Sequence, residues 1–284
     1  MQDDLAPRSL TLRAMEPADL AAAHALTAAI AWPYRPEDWR LLFELGMGHV
    51  ACDGPRVIGT AMSWRHGDAA TIGLVLVAAD RQGRGIGRRL VRAALDALGD
   101  CAVQLHATPA GLPLYESLGF RAAGLVHQHQ GILAADPPEP EDRRLREARP
   151  DDHGAIVALD AVAFGTARAV LLESLLAQGQ AWVLEEHGAL QGAVLRRRFG
   201  RGVVIGPVLA THEQDAITLI ARALRDGGDG IHRVDIPAAA GELGAWLTRL
   251  GLPVVDRAVT MLRGDWPRSH TKMRRFALAS QALG

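Results

Sequence analysis

The residues in this sequence whose types and spacing best suit chemistry are Gln82-Gly83-Arg84-Gly85-Ile86-Gly87-Arg88. An apolar run, Ile72 to Ala79, leads into them, and a run with Ile86, Leu90, Ala94 and Leu98 on one helical face leads out. A strand that turns through three glycines straight into a helix is an anion site. The first amides of a helix lack helical partners, its dipole favours negative charge there, and glycine lets phosphate oxygens approach the backbone. Arg84 and Arg88 add positive charge, so the segment suits a pyrophosphate. A P-loop requires Gly-x-x-x-x-Gly-Lys followed by Ser or Thr, and no such run occurs. A dinucleotide fingerprint requires G-x-G-x-x-G after the first strand; here the glycines are spaced Gly83-x-Gly85-x-Gly87 and follow the fourth.

The elements that must position this loop occur twice along the chain. Leu12-Arg13 is matched by Leu145-Arg146, Pro17 by Pro150, Asp19 by Asp152, Val50 by Val183, Gly59 by Gly192 and Ile72-Gly73 by Ile205-Gly206, always 133 positions apart. The offset slips by one near the end, where Leu118-Gly119 meets Leu250-Gly251. One offset held across so many elements marks a duplication. The proline-rich, acidic stretch from Ala135 to Asp142 reads as an exposed linker between a domain over 8–134 and one over 143–284. In the first copy, Ser9 to Met15 alternates like a strand, and helices are expected over Pro17 to Ile30 and Pro36 to Leu45. Strands follow over His49–Cys52, Val57–Trp64 and Ala70–Val77, then a helix from Gly85 to Leu98. A strand at Cys101–Ala107, a short helix over Leu112–Leu118 and a last strand from Phe120 complete the unit. The expected fold class is α/β: a mixed sheet, in the α+β sense, with helices on both faces, built twice.

These residues resemble a known family. Gln82 to Gly87 fits the Q/R-x-x-G-x-G/A coenzyme A loop of the GNAT superfamily of N-acetyltransferases, and Leu114-Tyr115-Glu116-Ser117-Leu118-Gly119-Phe120 resembles its LYxxLGF signature. The resemblance covers the whole first copy, while the second shares only the order of elements. It implies two tandem GNAT domains, a catalytic one over 8–134 and a diverged, non-catalytic one over 143–284. It implies acetyl-CoA as co-substrate, with no metal, and an acetyl group passed to a primary amine by direct attack. Backbone groups of Val75, Leu76 and Val77 would hold the pantetheine arm and polarise the thioester, and Gln82, Gly83, Arg84, Gly85, Ile86, Gly87 and Arg88 would take the pyrophosphate. Tyr115 stands at the family's general-acid position. Many members carry Asn and Ala where this chain has Thr108 and Gly111, so the contact of Thr108 with the pantetheine arm is the detail that departs. The rival reading is an acyl-CoA-binding regulatory module without turnover.

No general base stands out, and His66, Asp68, His106 and Glu116 lie in segments that border the cleft. Trp32, Tyr34 and Trp39 fall where the superfamily builds its acceptor pocket. In the second copy the loop becomes Val208 to Ala216 without glycine, Glu213 and Asp215 put negative charge at the anion position, and Thr211 or those acids cap the helix. Leu247 takes the tyrosine position. Arg196, Arg197, Arg198 and Arg201 read as a solvated strand end and turn. Cys52 and Cys101 read as buried thiols, and no zinc spacing occurs. A net charge of −1 gives no reason to expect nucleic acid or an anionic membrane. The resemblance implies an amine-bearing small molecule, peptide or protein as partner, with a monomer or homodimer as the expected state. Met1 to Asp4 is acidic with no apolar run behind it, so a cytoplasmic location is expected.

Overall fold

A computed structural model describes residues 10–225, 228, 230–267 and 271–284. Met1 to Asp4 and the start of the first strand at Ser9 lie outside the described residues. In chain order the first copy runs β1 (Leu10–Ala14), α1 (Leu20–Ala29), α2 (Pro36–Glu44), β2 (Met47–Asp53), β3 (Arg56–His66), β4 (Ala69–Val77), α3 (Ile86–Leu98), β5 (Ala102–Ala107), α4 (Leu112–Glu116) and β6 (Arg121–Gly131). The second runs β7 (Leu145–Glu147), α5 (His153–Phe164), α6 (Ala169–Leu176), β8 (Gly179–Glu186), β9 (Ala189–Phe199), β10 (Gly202–Ala210), α7 (Glu213–Arg225), β11 (Ile231–Pro237), α8 (Gly241–Arg249), β12 (Val254–Arg263) and β13 (Arg274–Ala277).

The positions matched in sequence do the same physical work in both copies. Arg13 makes paired hydrogen bonds of 2.7 and 2.8 Å to Asp19, and Arg146 makes them at 2.6 and 2.9 Å to Asp152. Each aspartate also accepts the amide three residues before it, from Glu16 and Arg149, which fixes the entry into the following helix. Gly59 and Gly192 serve as matched close approaches. A Cβ there would lie 2.8 Å from the Leu76 or Leu209 carbonyl oxygen and about as close to Leu90 or Leu219 of the covering helix. Only glycine lets α3 and α7 lie this tightly on their strands.

The described strands form one continuous sheet in the order β1-β2-β3-β4-β5-β12-β6-β11-β10-β9-β8-β7. The strands that follow α4 in the first copy (β6) and α8 in the second (β12) therefore each sit in the other copy. β12 pairs antiparallel with β5, Val259 opposite Ala107 and Thr260 opposite His106. In exchange, β6 pairs antiparallel with β11, Gln130 opposite Arg233. The two exchanged strands pair with each other at the centre, so the spatial units and the sequence repeats are not the same segments. The linker stays at the surface but is tied down: Arg225 donates to the Pro137 carbonyl at 2.7 Å and pairs with Glu139.

One face of the sheet carries a core shared by both copies, with Trp39, Met62 and Trp64 from the first and Leu171, Leu172 and Leu175 from the second. On the other face α3 and α4 cover the first copy and α7 and α8 the second, as separate clusters. Cys52 and Cys101 are buried free thiols. Among the described residues no helix is long and apolar enough to cross a membrane.

Candidate functional site

The site begins where β4 leaves β5. The two strands pair in parallel only from Ala69–Ala102 to Thr71–Gln104, and then diverge. On its other edge β4 carries a register shift against β3, and Leu74 adopts φ +50°, a left-handed conformation costly for a residue with a branched side chain. Thr60 Oγ1 donates to the Leu74 carbonyl at 2.8 Å and Ala78 N donates to Ile58 O at 2.8 Å. By strand alternation the backbone of Leu76 faces β3, while that of Val75 and Val77 faces the gap. Of the three strand residues Val75, Leu76 and Val77, the first and last therefore turn their main chain to the gap and Leu76 turns its own to β3.

At the mouth of the gap, a turn over Ala79–Arg81 leads through Gly83 and Gly85, both at φ +74°, into α3. A Cβ at either glycine would meet nothing within 4 Å, so backbone conformation demands glycine here, and the surface outside stays open. The first helical bond runs from Arg89 N to Gly85 O at 3.1 Å, leaving the amides of Ile86, Gly87 and Arg88 without a backbone partner among the described residues. Nearby acids are withdrawn: Arg56 holds Asp80 at 2.8 Å and Arg81 holds Asp53 at 2.6 Å. Arg84 and Arg88 are exposed and make no ion pair among the described residues. Gln82 Nε2 donates to Val77 O at 3.1 Å and ties the loop to the strand. Free amides, a helix dipole and two cations without an ion pair among the described residues have the chemistry that suits a polyanion.

Tyr115 stands on α4 behind the gap, 8 % exposed, its ring edge-on to Phe120 with centroids 5.9 Å apart. Its hydroxyl makes no hydrogen bond among the described residues. Burial pushes the phenol up to about 12, so it stays protonated at neutral pH. Gly111, the departure noted in sequence, has a reason: a Cβ there would lie 2.9 Å from Tyr115 Cε2. Thr108 starts the same turn and borders a cavity of about 300 Å³ between the copies.

Trp32, Tyr34, Leu74 and His106 line that cavity. Trp39 does not; it is fully buried, with Nε1 donating to Thr27 Oγ1 at 3.1 Å. Among the four candidate bases only His106 reaches the cavity. Its Nδ1 lies 3.2 Å from Thr260 Oγ1 of the exchanged strand, and burial, helped by Arg275, pushes it down to about 3. His66 packs edge-on to Phe164, and burial pushes it down to about 4. Asp68 and Glu116 are exposed. Burial lowers His49, His129 and His232 as well. The unfolded chain takes up protons near pH 6.5 that these folded imidazoles refuse. Stability is therefore full above about pH 6.5 and is lost as pH falls toward about 4 for His66 and about 3 for His106. Melting curves between pH 7.5 and 5 are expected to show Tm falling below pH 6.5, less steeply in His66→Gln; a flat Tm would contradict the burial argument.

The second copy treats the same positions differently. β10 also leaves β11 after three pairs, Gly202–Ile231 to Val204–Arg233. The gap is then filled by β13, which pairs with Val208 to Ala210, while Leu278 N donates to Asp235 O of β11 at 2.9 Å. Of the caps expected from the sequence, Thr211 or the acids, the acids at the start of α7 bond to neighbouring elements. Glu213 accepts from Leu243 N at 2.7 Å, and Asp215 pairs with Arg144 at 2.7 Å. Leu247, at the tyrosine position, is fully buried. The arginine run also needs correcting. Strand alternation turns Arg197 inward, where it is 5 % exposed, stacks over Phe199 and donates to Ala279 O at 3.1 Å. The exchanged strands, β13 and Arg197 were not found in the sequence; for Arg197 the two-residue period through Arg196–Phe199 was the available signal.

Among the described residues no group of three or more His, Cys, Asp or Glu side chains converges as a metal site. Residues 45–122 match a family described as an acetyltransferase (GNAT) domain, and residues 156–275 match a second family of the same description. The chain is 30 % identical over 260 residues to an uncharacterized N-acetyltransferase, YitH, of Bacillus subtilis, covering 89 % of this chain and 91 % of that protein. The fold is similar to the crystal structure of a putative acetyltransferase from Pyrococcus horikoshii, with TM-score 0.80 and 20 % identity over 100 % of this chain and 99 % of that one. It is also similar to a tandem GNAT protein from the clavulanic acid biosynthesis pathway, with TM-score 0.64 and 15 % identity over 90 % and 98 % of the two chains.

Proposed function

The chain belongs to the GNAT acetyltransferase family and is an acyltransferase, and on that premise we propose that its first half passes an acetyl group from acetyl-CoA to a primary amine by direct attack. The observation that carries this reading is the gap between β4 and β5: open, with the free-donor loop at its mouth and an unpartnered, protonated phenol behind it. Amides from Gly83 to Arg88, with Arg84 and Arg88, take the pyrophosphate, and Gln82 braces the loop through Val77. The main chain of Val75 and Val77 and the Thr108 hydroxyl line the pantetheine arm. A backbone N–H here stabilises the oxyanion that develops on the carbonyl as the amine attacks. Acetyl-CoA supplies the activated acyl group; Tyr115 supplies the proton that the departing thiolate needs.

The second half, over 143–284, is in this reading non-catalytic: its equivalent gap is closed by β13 and its tyrosine is Leu247. It serves the first half by lending β12 and one wall of the acceptor cavity. The test is release of free thiol from acetyl-CoA across a panel of primary amines. Amine-dependent release is expected; coenzyme A binding without release from any amine would leave a cofactor-binding module instead.

A further inference from the structure

The basic run of the second copy ends at the acceptor cavity. The hairpin joining β9 to β10 reaches across to the first copy, where Gly200 N donates to Asp38 Oδ2 at 3.0 Å and Arg35 donates to Arg198 O at 3.3 Å. This clamp sets Arg201 on the cavity wall beside Arg233. Arg201 is exposed and makes no ion pair among the described residues. Arg233 gives Nε and Nη2 to the buried Asp235, at 3.0 and 2.8 Å, and its Nη1 has no bond among the described residues. Behind both lies Arg197, whose Nε is buried with no hydrogen-bond partner. Two acids near this end are committed, Asp235 to Arg233 and Asp38 to Arg35. Among the described residues Asp256, on the same wall, accepts the Arg257 amide at 2.8 Å and forms no ion pair, although it lies near enough to Arg233 to act on its charge. The cavity wall thus gathers two arginines and one carboxylate that forms no ion pair among the described residues, and at about 300 Å³ it sits at the small end of ligand sites.

We propose that the acceptor is a compact amine that also carries an anionic group, a carboxylate or a phosphate, read by Arg201 and the free edge of Arg233, with Asp256 drawing the amine end. The inference rests on the acetyl-transfer reading and narrows it from any amine to small molecules of mixed charge. An arginine beside an anion forms charge-assisted hydrogen bonds that a neutral isostere cannot replace.

The test compares matched acceptors: amino acids against their carboxamides, and phosphoethanolamine against ethanolamine. Wild-type protein is expected to use the anionic member of a pair with kcat/KM at least about ten-fold higher, mostly through KM. The pair that shows the difference identifies carboxylate or phosphate. Arg201→Ala, a substitution on an exposed turn, should lower kcat/KM for the anionic member about ten-fold more than for its neutral partner. Equal use of both members, or an equal loss for both in Arg201→Ala, would overturn the proposal. Should no amine release thiol, the transfer reading fails by itself. Calorimetric binding of the same pairs to wild type and Arg201→Ala then decides the cavity's preference, and equal affinities would overturn it.

Discussion

Replacing Tyr115 with phenylalanine lowers turnover by about 10- to 10³-fold and leaves coenzyme A affinity close to that of the unaltered protein. The size follows from what the substitution removes. The ring, with its contact to Phe120 and its fit over Gly111, is kept, so the fold and the gap are unchanged. Only the hydroxyl goes, and it forms no structural hydrogen bond among the described residues whose loss would disturb the site. What is lost is a proton donor that burial keeps protonated across the working pH range. Turnover in Tyr115→Phe equal to that of the unaltered protein would remove Tyr115 from the mechanism. A parallel loss of coenzyme A affinity would make it a packing residue.

Coenzyme A binding falls below detection in Gly85→Glu and is unchanged in Asp215→Asn. Gly85 holds φ +74° at the start of α3, where a side chain costs about 1–2 kcal/mol of backbone strain. The added carboxylate also stands among the three free amides and the two cations that make the anion site, opposing a pyrophosphate directly. Gly85→Ala separates the two effects, because it keeps the strain and omits the charge; its affinity is expected between those of the parent and Gly85→Glu. Asp215 sits at the matching position of the second copy, but it is engaged with Arg144 and lies beside a gap already filled by β13. Equilibrium titration of the variants with coenzyme A reads all of this. Loss of binding in Asp215→Asn alone would reverse the assignment of working and degenerate halves.

Much of this arrangement was legible in the residues. The constant 133-residue offset announced two copies, and the Arg13–Asp19 and Arg146–Asp152 pairs show why those positions match. Strand and helix ranges were near those observed because periodicity, proline and glycine act locally. The φ values of Gly83 and Gly85 are what their residue types favour. The missing parts are those that local signals do not encode. β6 and β12 are the corresponding strands of two similar units, so each can complete either sheet, and no residue pattern distinguishes the exchanged arrangement. β13 belongs to a C-terminal stretch with no counterpart in the first copy, so the duplication offered no guide to it. The left-handed turn at Leu74 runs against its residue type; it is held from outside by Thr60 and the β3 register, and it lies beside the proposed chemistry. For Trp39 the sequence left two readings open, acceptor pocket or helix face packed on the sheet. Its burial selects the second; an aromatic residue near a pocket and one beneath it have the same sequence signature.

In this reading the two copies keep one fold and divide its work, with the open gap between β4 and β5 as the proposed cofactor site. A crystal structure of the chain with coenzyme A tests it most directly. One coenzyme A per chain is expected, its pyrophosphate on the amides of Gly83 to Arg88 and its thiol beside Tyr115. Coenzyme A between β10 and β11, with β13 displaced, would contradict it.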